Sequence, residues 1–176
     1  MKAKDIGYVA LATALLAVSA WIAIPVGEIP ITLQTATALF LAGFLGWKRA
    51  ALAILAYILL GTIGVPVFAG FTGGAGRLFS PTGGFIFGFL PLGLTVGGYA
   101  DIVKKKTVIG LTVAMILGVL FCYALGMAWF TFVSGGASGF FAGLTVCVFP
   151  YLPFEGVKIF LAVFLVLKVS KFIKTA

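Results

Sequence analysis

Residues 108–133 read VIGLTVAMILGVLFCYALGMAWFTFV, directly after Lys104-Lys105-Lys106-Thr107. A run of 26 residues without one charge exceeds the roughly 20 that cross a hydrocarbon core as helix. The lysines before it stay at one membrane surface. The rest of the chain has the same character: 62% hydrophobic, 9% charged, mean hydropathy +1.26. A water-soluble domain covers itself with far more charge. The 176 residues therefore read as one all-α integral membrane domain, residues 1–176. The first apolar stretch is longer than a signal-peptide core and shows no small-residue cleavage site, so it is expected to be retained.

Apolar runs and breakers predict six transmembrane helices, at residues 6–24, 33–45, 50–63, 83–103, 108–133 and 153–169. Pro25 ends the first, and Gly64 with Pro66 ends the third. The second and third are short for a bilayer. They are either tilted or stop beneath loops that fold back into the protein, where backbone at depth is covered. Of the 12 basic residues, ten fall on one side of this arrangement: Lys2, Lys4, Lys48, Arg49, Lys104, Lys105, Lys106, Lys168, Lys171 and Lys174. That side is predicted to be cytoplasmic, with both termini inside, in a multi-pass protein of the cell membrane. An odd number of spans would move the last three lysines to the wrong side.

The net charge of +8 is thus a membrane signal and excludes nucleic acid as a partner. The absence of histidine removes the commonest general base and metal ligand. Cys122 and Cys147 sit in apolar runs without CxxC spacing and read as small buried hydrophobes. No carboxylate pair or serine–base arrangement supplies enzyme chemistry. No Walker motif is present, so any ATP hydrolysis comes from other chains.

Three connections face outward. In the first, the prolines of Pro25-Val26-Gly27-Glu28-Ile29-Pro30 fix an extended entry into helix two. Thr32 and Gln34 then lie near its outer end, where Gln34 either caps loop backbone or meets a ligand. The second, residues 65–82, is apolar, aromatic and glycine-rich, unlike a solvated linker. It is predicted to be an ordered lid between helices three and four, carrying Thr72 and Arg77. The third contains Gly135-Gly136-Ala137-Ser138-Gly139 and an apolar piece too short to span, expected as a short helix or re-entrant turn.

The last span opens Pro153-Phe154-Glu155-Gly156-Val157-Lys158. Only four acids exist in the chain, and ionisable groups inside a membrane are costly. Glu155 and Lys158 share a helix face. Either Glu155 caps the helix and Lys158 pairs or snorkels, or the two offer acceptor and donor to a polar neutral group such as a cyclic urea. Lys158, or Arg77 from the lid, can instead hold a ligand carboxylate. Phe68, Phe71, Phe79, Phe85, Tyr151 and Phe154 are candidates for an apolar wall. In the first helix, Ala10 and Ala14, with Ala17 near the same face, permit close approach of another helix. That helix belongs either to this bundle or to a partner membrane protein.

Several ordered motifs, taken together, resemble the BioY family, the biotin-binding S components of energy-coupling factor transporters. They are Ile29-Pro30-Ile31-Thr32-Leu33-Gln34-Thr35, Gly61-Thr62-Ile63-Gly64-Val65-Pro66-Val67-Phe68-Ala69-Gly70, Pro81-Thr82-Gly83-Gly84-Phe85, and the Pro-x-acid-x-x-Lys pattern at 153–158. The resemblance implies a six-helix bundle that holds biotin near its outer face. It also implies a membrane T component and two cytoplasmic ATPase subunits as partners, with biotin as ligand and no cofactor. It assigns ligand contacts to Glu155 and Lys158, with lid residues helping, and partner docking to Ala10 and Ala14. Glu155 stands where the family usually has aspartate, and Ser80 where Gly precedes Pro-Thr-Gly-Gly. The alternative is the same class of carrier, alone or as an S component, for another small vitamin-like molecule.

Overall fold

The computed structural model describes residues 3–25, 29–103, 106–134 and 140–175. Lys2, Glu28, Lys104, Lys105 and the glycine-rich residues 135–139 lie outside the described residues. In chain order the elements are α1 (Ala3–Trp21), β1 (Ala23–Ile24), β2 (Ile31–Thr32), α2 (Gln34–Leu45), α3 (Trp47–Thr62), α4 (Ala75–Leu78), α5 (Gly83–Ile102), α6 (Val108–Val133), α7 (Phe140–Cys147) and α8 (Leu152–Thr175). By length and composition, α1, α5 and α6 are able to cross a membrane. Helix α8 is long enough at 24 residues but carries Glu155 and several lysines.

The six long helices follow the apolar runs, with informative shifts at their ends. Helix α1 stops at Trp21, because Pro25 biases the residue before it toward extended backbone. Ala23 and Ile24 then pair antiparallel with Thr32 and Ile31. Helix α3 begins three residues earlier than its apolar run, at Trp47. The Asp101 carboxylate accepts from the Trp47 backbone N–H at 3.0 Å and completes that helix end from another element. Helix α8 runs six residues past Val169 to Thr175, since lysines are good helix formers and nothing there breaks the helix. The apolar piece of the third connection is the short helix α7.

Helix α2 is the centre of the bundle, touching α1, α3, α5, α6 and α8. Its burial explains its brevity: it need not meet lipid along its whole length. Gln34, Ala38, Leu39, Leu41, Ala42 and Gly43 are all buried. Helix α1 lies on α2 and α3 through Ala12, Thr13, Leu16, Ala17 and Ala20. The Thr13 hydroxyl shares its one proton between the Val9 carbonyl of its own helix at 2.8 Å and the Ala53 carbonyl of α3 at 3.2 Å, a polar contact between helices. Ala10 and Ala14 are on the opposite, exposed face. Ala17 does not join them, being only 7% exposed. Outward-facing Val113, Leu117, Leu120 and Phe121 of α6 form the kind of continuous apolar surface that requires lipid.

One end of the bundle is knitted by ionic and polar contacts. Arg49 donates to Asp5 at 2.6 Å, joining the start of α3 to the start of α1. Lys106 donates to the Gly43 carbonyl at 2.7 Å, tying the α5–α6 connection to α2. With the Asp101 cap, these contacts gather α1, α2, α3 and α5 at the lysine-bearing end. The charge-poor loops lie at the other end. Asp101→Ala is expected to lower stability by about 1 kcal/mol, the usual worth of a helix N-cap, while Asp101→Asn retains most of it. Thermal unfolding of the purified protein in detergent checks both.

Candidate functional site

The charge-poor end encloses a cavity of about 80 Å³, several times what one ordered water needs. Helices α2, α3, α5, α6, α7 and α8 and the connections between them contribute to it. The first outer connection and α2 supply Ile29, Ile31, Thr32, Gln34 and Thr35; α3 supplies Tyr57. The lid supplies Phe68, Ala69 and Arg77, and α5 with its N-cap supplies Thr82, Phe85, Ile86 and Phe89. Val119, Cys122 and Tyr123 of α6, then Cys147, Tyr151, Glu155 and Lys158, close the ring.

Glu155 and Lys158 sit in the first turns of α8, where the i, i+3 spacing stacks them on one face. Lys158 Nζ donates to Glu155 Oε1 at 2.7 Å. Both residues are buried, at 5% and 6% exposure. Glu155 Oε2 is also buried and has no hydrogen-bond partner among the described residues. An unpaired carboxylate oxygen in such a place costs free energy unless a donor arrives. Lysine has three donors, and one of them serves Glu155. The Tyr123 ring meets Phe85 edge-on at 5.9 Å, while Tyr151 donates to the Ile29 carbonyl at 2.6 Å and anchors the start of the cavity wall.

A second polar cluster lines the same cavity. Gln34 Nε2 donates to the Tyr57 hydroxyl oxygen at 2.6 Å, and Thr32 Oγ1 donates to Gln34 Oε1 at 3.4 Å. Tyr57 is fully buried. Its oxygen accepts from Gln34, which leaves its own O–H for an acceptor in the cavity. Arg77, at the C-terminal turn of α4, lines the same side. No salt bridge holds Arg77 among the described residues.

Five of the six residues singled out from the sequence thus meet on one cavity: Glu155, Lys158, Arg77, Gln34 and Phe85. Thr72 does not. Its hydroxyl donates to the Ala69 carbonyl at 2.9 Å and its carbonyl accepts from the Phe68 N–H, so both polar groups serve the lid's own turn. Of the candidate aromatics, Phe68, Phe85 and Tyr151 face the cavity, whereas Phe71, Phe79 and Phe154 are exposed. Both cysteines are buried thiols outside any disulfide, and both line the cavity, Cys122 with its Sγ–H donating to the Phe85 carbonyl at 3.6 Å. Sequence reasoning missed Tyr57 and Tyr123. Each is a hydroxyl in the middle of an otherwise apolar helix, which is the signal that marks them.

Residues 1–175 match the BioY family. The chain is similar to the biotin transporter BioY of Thermotoga maritima, 36% identical over 90% of this chain and 91% of that protein. It is similar also to the probable biotin transporter BioY of Pyrococcus horikoshii, 37% identical over 85% of this chain and 88% of that one. Its fold is similar to the crystal structure of the S-component for biotin from an ECF-type ABC transporter, with a TM-score of 0.87 and 27% identity over 97% of this chain and 92% of the other. A match that runs through all the helices and both sides of the cavity makes this chain a member of the BioY family.

Proposed function

We propose that this protein captures biotin from outside the cytoplasmic membrane and carries it inward as the substrate-binding S component of an energy-coupling factor transporter. The observation that carries the assignment of the site is the buried Glu155 Oε2, which makes no full hydrogen bond although the Tyr123 side chain is its neighbour, beside a lysine with protons to spare. A cyclic urea fits that deficit: its N–H donates to Glu155 while its carbonyl accepts from Lys158. The cluster of Gln34, Tyr57 and Arg77 suits the ligand's carboxylate. Lys158 is already committed to Glu155, so Arg77 supplies the charge and the Tyr57 hydroxyl a further donor. Phe68, Phe85 and Phe89 flank the apolar middle of the ligand. The extra methylene of Glu155 relative to aspartate extends the carboxylate toward the ligand and leaves its first oxygen on Lys158.

Six membrane spans, α1, α2, α3, α5, α6 and α8, form the single substrate-binding domain over residues 1–176, with both termini in the cytoplasm and the lid outside. The basic residues at one end support this orientation. The exposed stripe of Ala10 and Ala14 docks the membrane T component, which brings two ATPase subunits. BioY proteins are transporter subunits and not enzymes.

Removing Lys158 alone leaves a buried, uncompensated carboxylate, so Lys158→Ala is expected to lose about 3–5 kcal/mol of stability together with biotin binding. The double variant Glu155→Gln/Lys158→Met separates the two effects. It should unfold within about 1 kcal/mol of wild type yet bind radiolabelled biotin at least roughly 100-fold more weakly; wild-type affinity in that variant sinks the site. Arg77→Ala should weaken biotin by roughly 10–100-fold while leaving biotinamide, which lacks the carboxylate, unchanged. For orientation, single cysteines replacing Phe71 and Lys171 in a Cys122→Ala/Cys147→Ala background should react with a membrane-impermeant thiol reagent outside and only after lysis, respectively.

A further inference from the structure

The lid is fastened to α1 at two points on either side of Phe68. The Trp21 indole Nε1 donates to the Pro66 carbonyl at 2.9 Å. The Trp21 ring also stacks on Phe71, with centroids 4.9 Å apart and an interplanar angle of 20°. Between these points the chain makes a tight turn closed by the Phe68 N–H donating to the Thr72 carbonyl at 2.9 Å. Gly70 and Phe71 both have positive φ, 72° and 57°. Glycine adopts that conformation freely, whereas a bulky side chain rarely does. A strained residue persists where its surroundings hold it, and here the holder is Trp21.

The turn points its two phenylalanines opposite ways. Phe71 is 64% exposed and lies on Trp21; Phe68 is 1% exposed and faces the cavity. Phe68 meets the Tyr57 ring edge-on at 5.4 Å. It also lies against Gly61, where any Cβ would collide with its ring. Phe68 therefore has a seat shaped for it in α3, flanked by the buried Val67 and by the Gly74 N–H donating to the Gly61 carbonyl at 2.7 Å, while Phe71 at the tip of the turn rests on Trp21.

We propose that Trp21 is a positioning residue for ligand retention: by holding residues 66–72 on the end of α1 it keeps Phe68 seated over the cavity, and so sets how slowly the ligand leaves. Trp21 itself does not touch the cavity. Loosening it unseats Phe68 without altering the polar groups of the cavity. This inference rests on the biotin-site reading above.

The experiment is dissociation of radiolabelled biotin from the purified protein, chased with excess unlabelled biotin. Trp21→Ala should release biotin roughly tenfold faster, with the association rate within about twofold of wild type, since affinity differences within one site lie mostly in dissociation. Trp21→Phe keeps a stacking ring without the N–H and should fall between, which keeps the test open if the alanine variant folds poorly. Phe68→Ala should release at least as fast as Trp21→Ala. The double variant Trp21→Ala/Phe68→Ala should match Phe68→Ala alone, because the first residue acts through the second. Wild-type dissociation in Trp21→Ala, or effects that multiply in the double variant, overturns the proposal. Failure of the underlying reading looks different: biotin binding would survive Glu155→Gln/Lys158→Met.

Discussion

Hydrocarbon offers no hydrogen bonds, and the architecture of this protein follows from that constraint. Backbone polar groups must be satisfied within the protein, which favours helices wherever lipid is near. Polar side chains within the bundle turn inward and find partners there, as Thr13 does on the Ala53 carbonyl and Gln34 on Tyr57. Most charges gather at one end, where Asp5 meets Arg49 and Asp101 caps α3. The other end has few charges to spend, and two of them, Glu155 and Lys158, are buried together.

That burial is tolerable because the two ions neutralise one another at 2.7 Å, and it is incomplete because Glu155 Oε2 makes no full hydrogen bond. In a medium of low dielectric the missing bond is worth more than it would be in water. A ligand that supplies the donor gains that energy, and one that lacks it leaves the carboxylate unpaired. Discrimination of this kind is stronger than an apolar pocket alone achieves. The cavity adds a second polar cluster at Gln34, Tyr57 and Arg77, and Phe68, Phe85 and Phe89 line it as well.

The two ends of the molecule differ in construction as well as charge. Regular helices tied by ionic contacts make the base, while the mouth is assembled from a short β-pair, a strained turn, and the small helices α4 and α7. Most polar groups of the cavity stand on the long helices, Gln34 on α2, Tyr57 on α3, Tyr123 on α6 and Glu155 with Lys158 on α8, while Phe68 and Arg77 come from the connecting segment between α3 and α5. The lid is apolar because its inner side faces the cavity and the neighbouring helices, and two tryptophans hold it from outside: Trp21 on the Pro66 carbonyl and Trp129 on the Ser80 carbonyl.

Much of this was legible in the chain because it depends on local free energies. Transfer of apolar residues set the helix segments, and α6 matches its apolar run at both ends, with Thr107 capping its start by accepting from the Gly110 N–H. Positive charge set the two faces of the bundle. The spacing of Glu155 and Lys158 put them on one helical face before any tertiary contact was known. Other features are set by contacts between segments far apart in sequence. Phe68 and Phe71 are three residues apart in one loop, and nothing local says that the first is buried and the second exposed. Thr72 has the right chemistry for a ligand but spends it on its own turn. The Tyr57 hydroxyl is oriented by Gln34 of another helix, which donates to its oxygen. Asp101 lengthens α3 from 54 residues away in sequence. Sequence by itself determined which segments are apolar helices and which charges are costly among them, since solvation acts on each segment separately. The tertiary structure alone decided which side chains share the cavity, since that depends on how helices from all parts of the chain come together around α2.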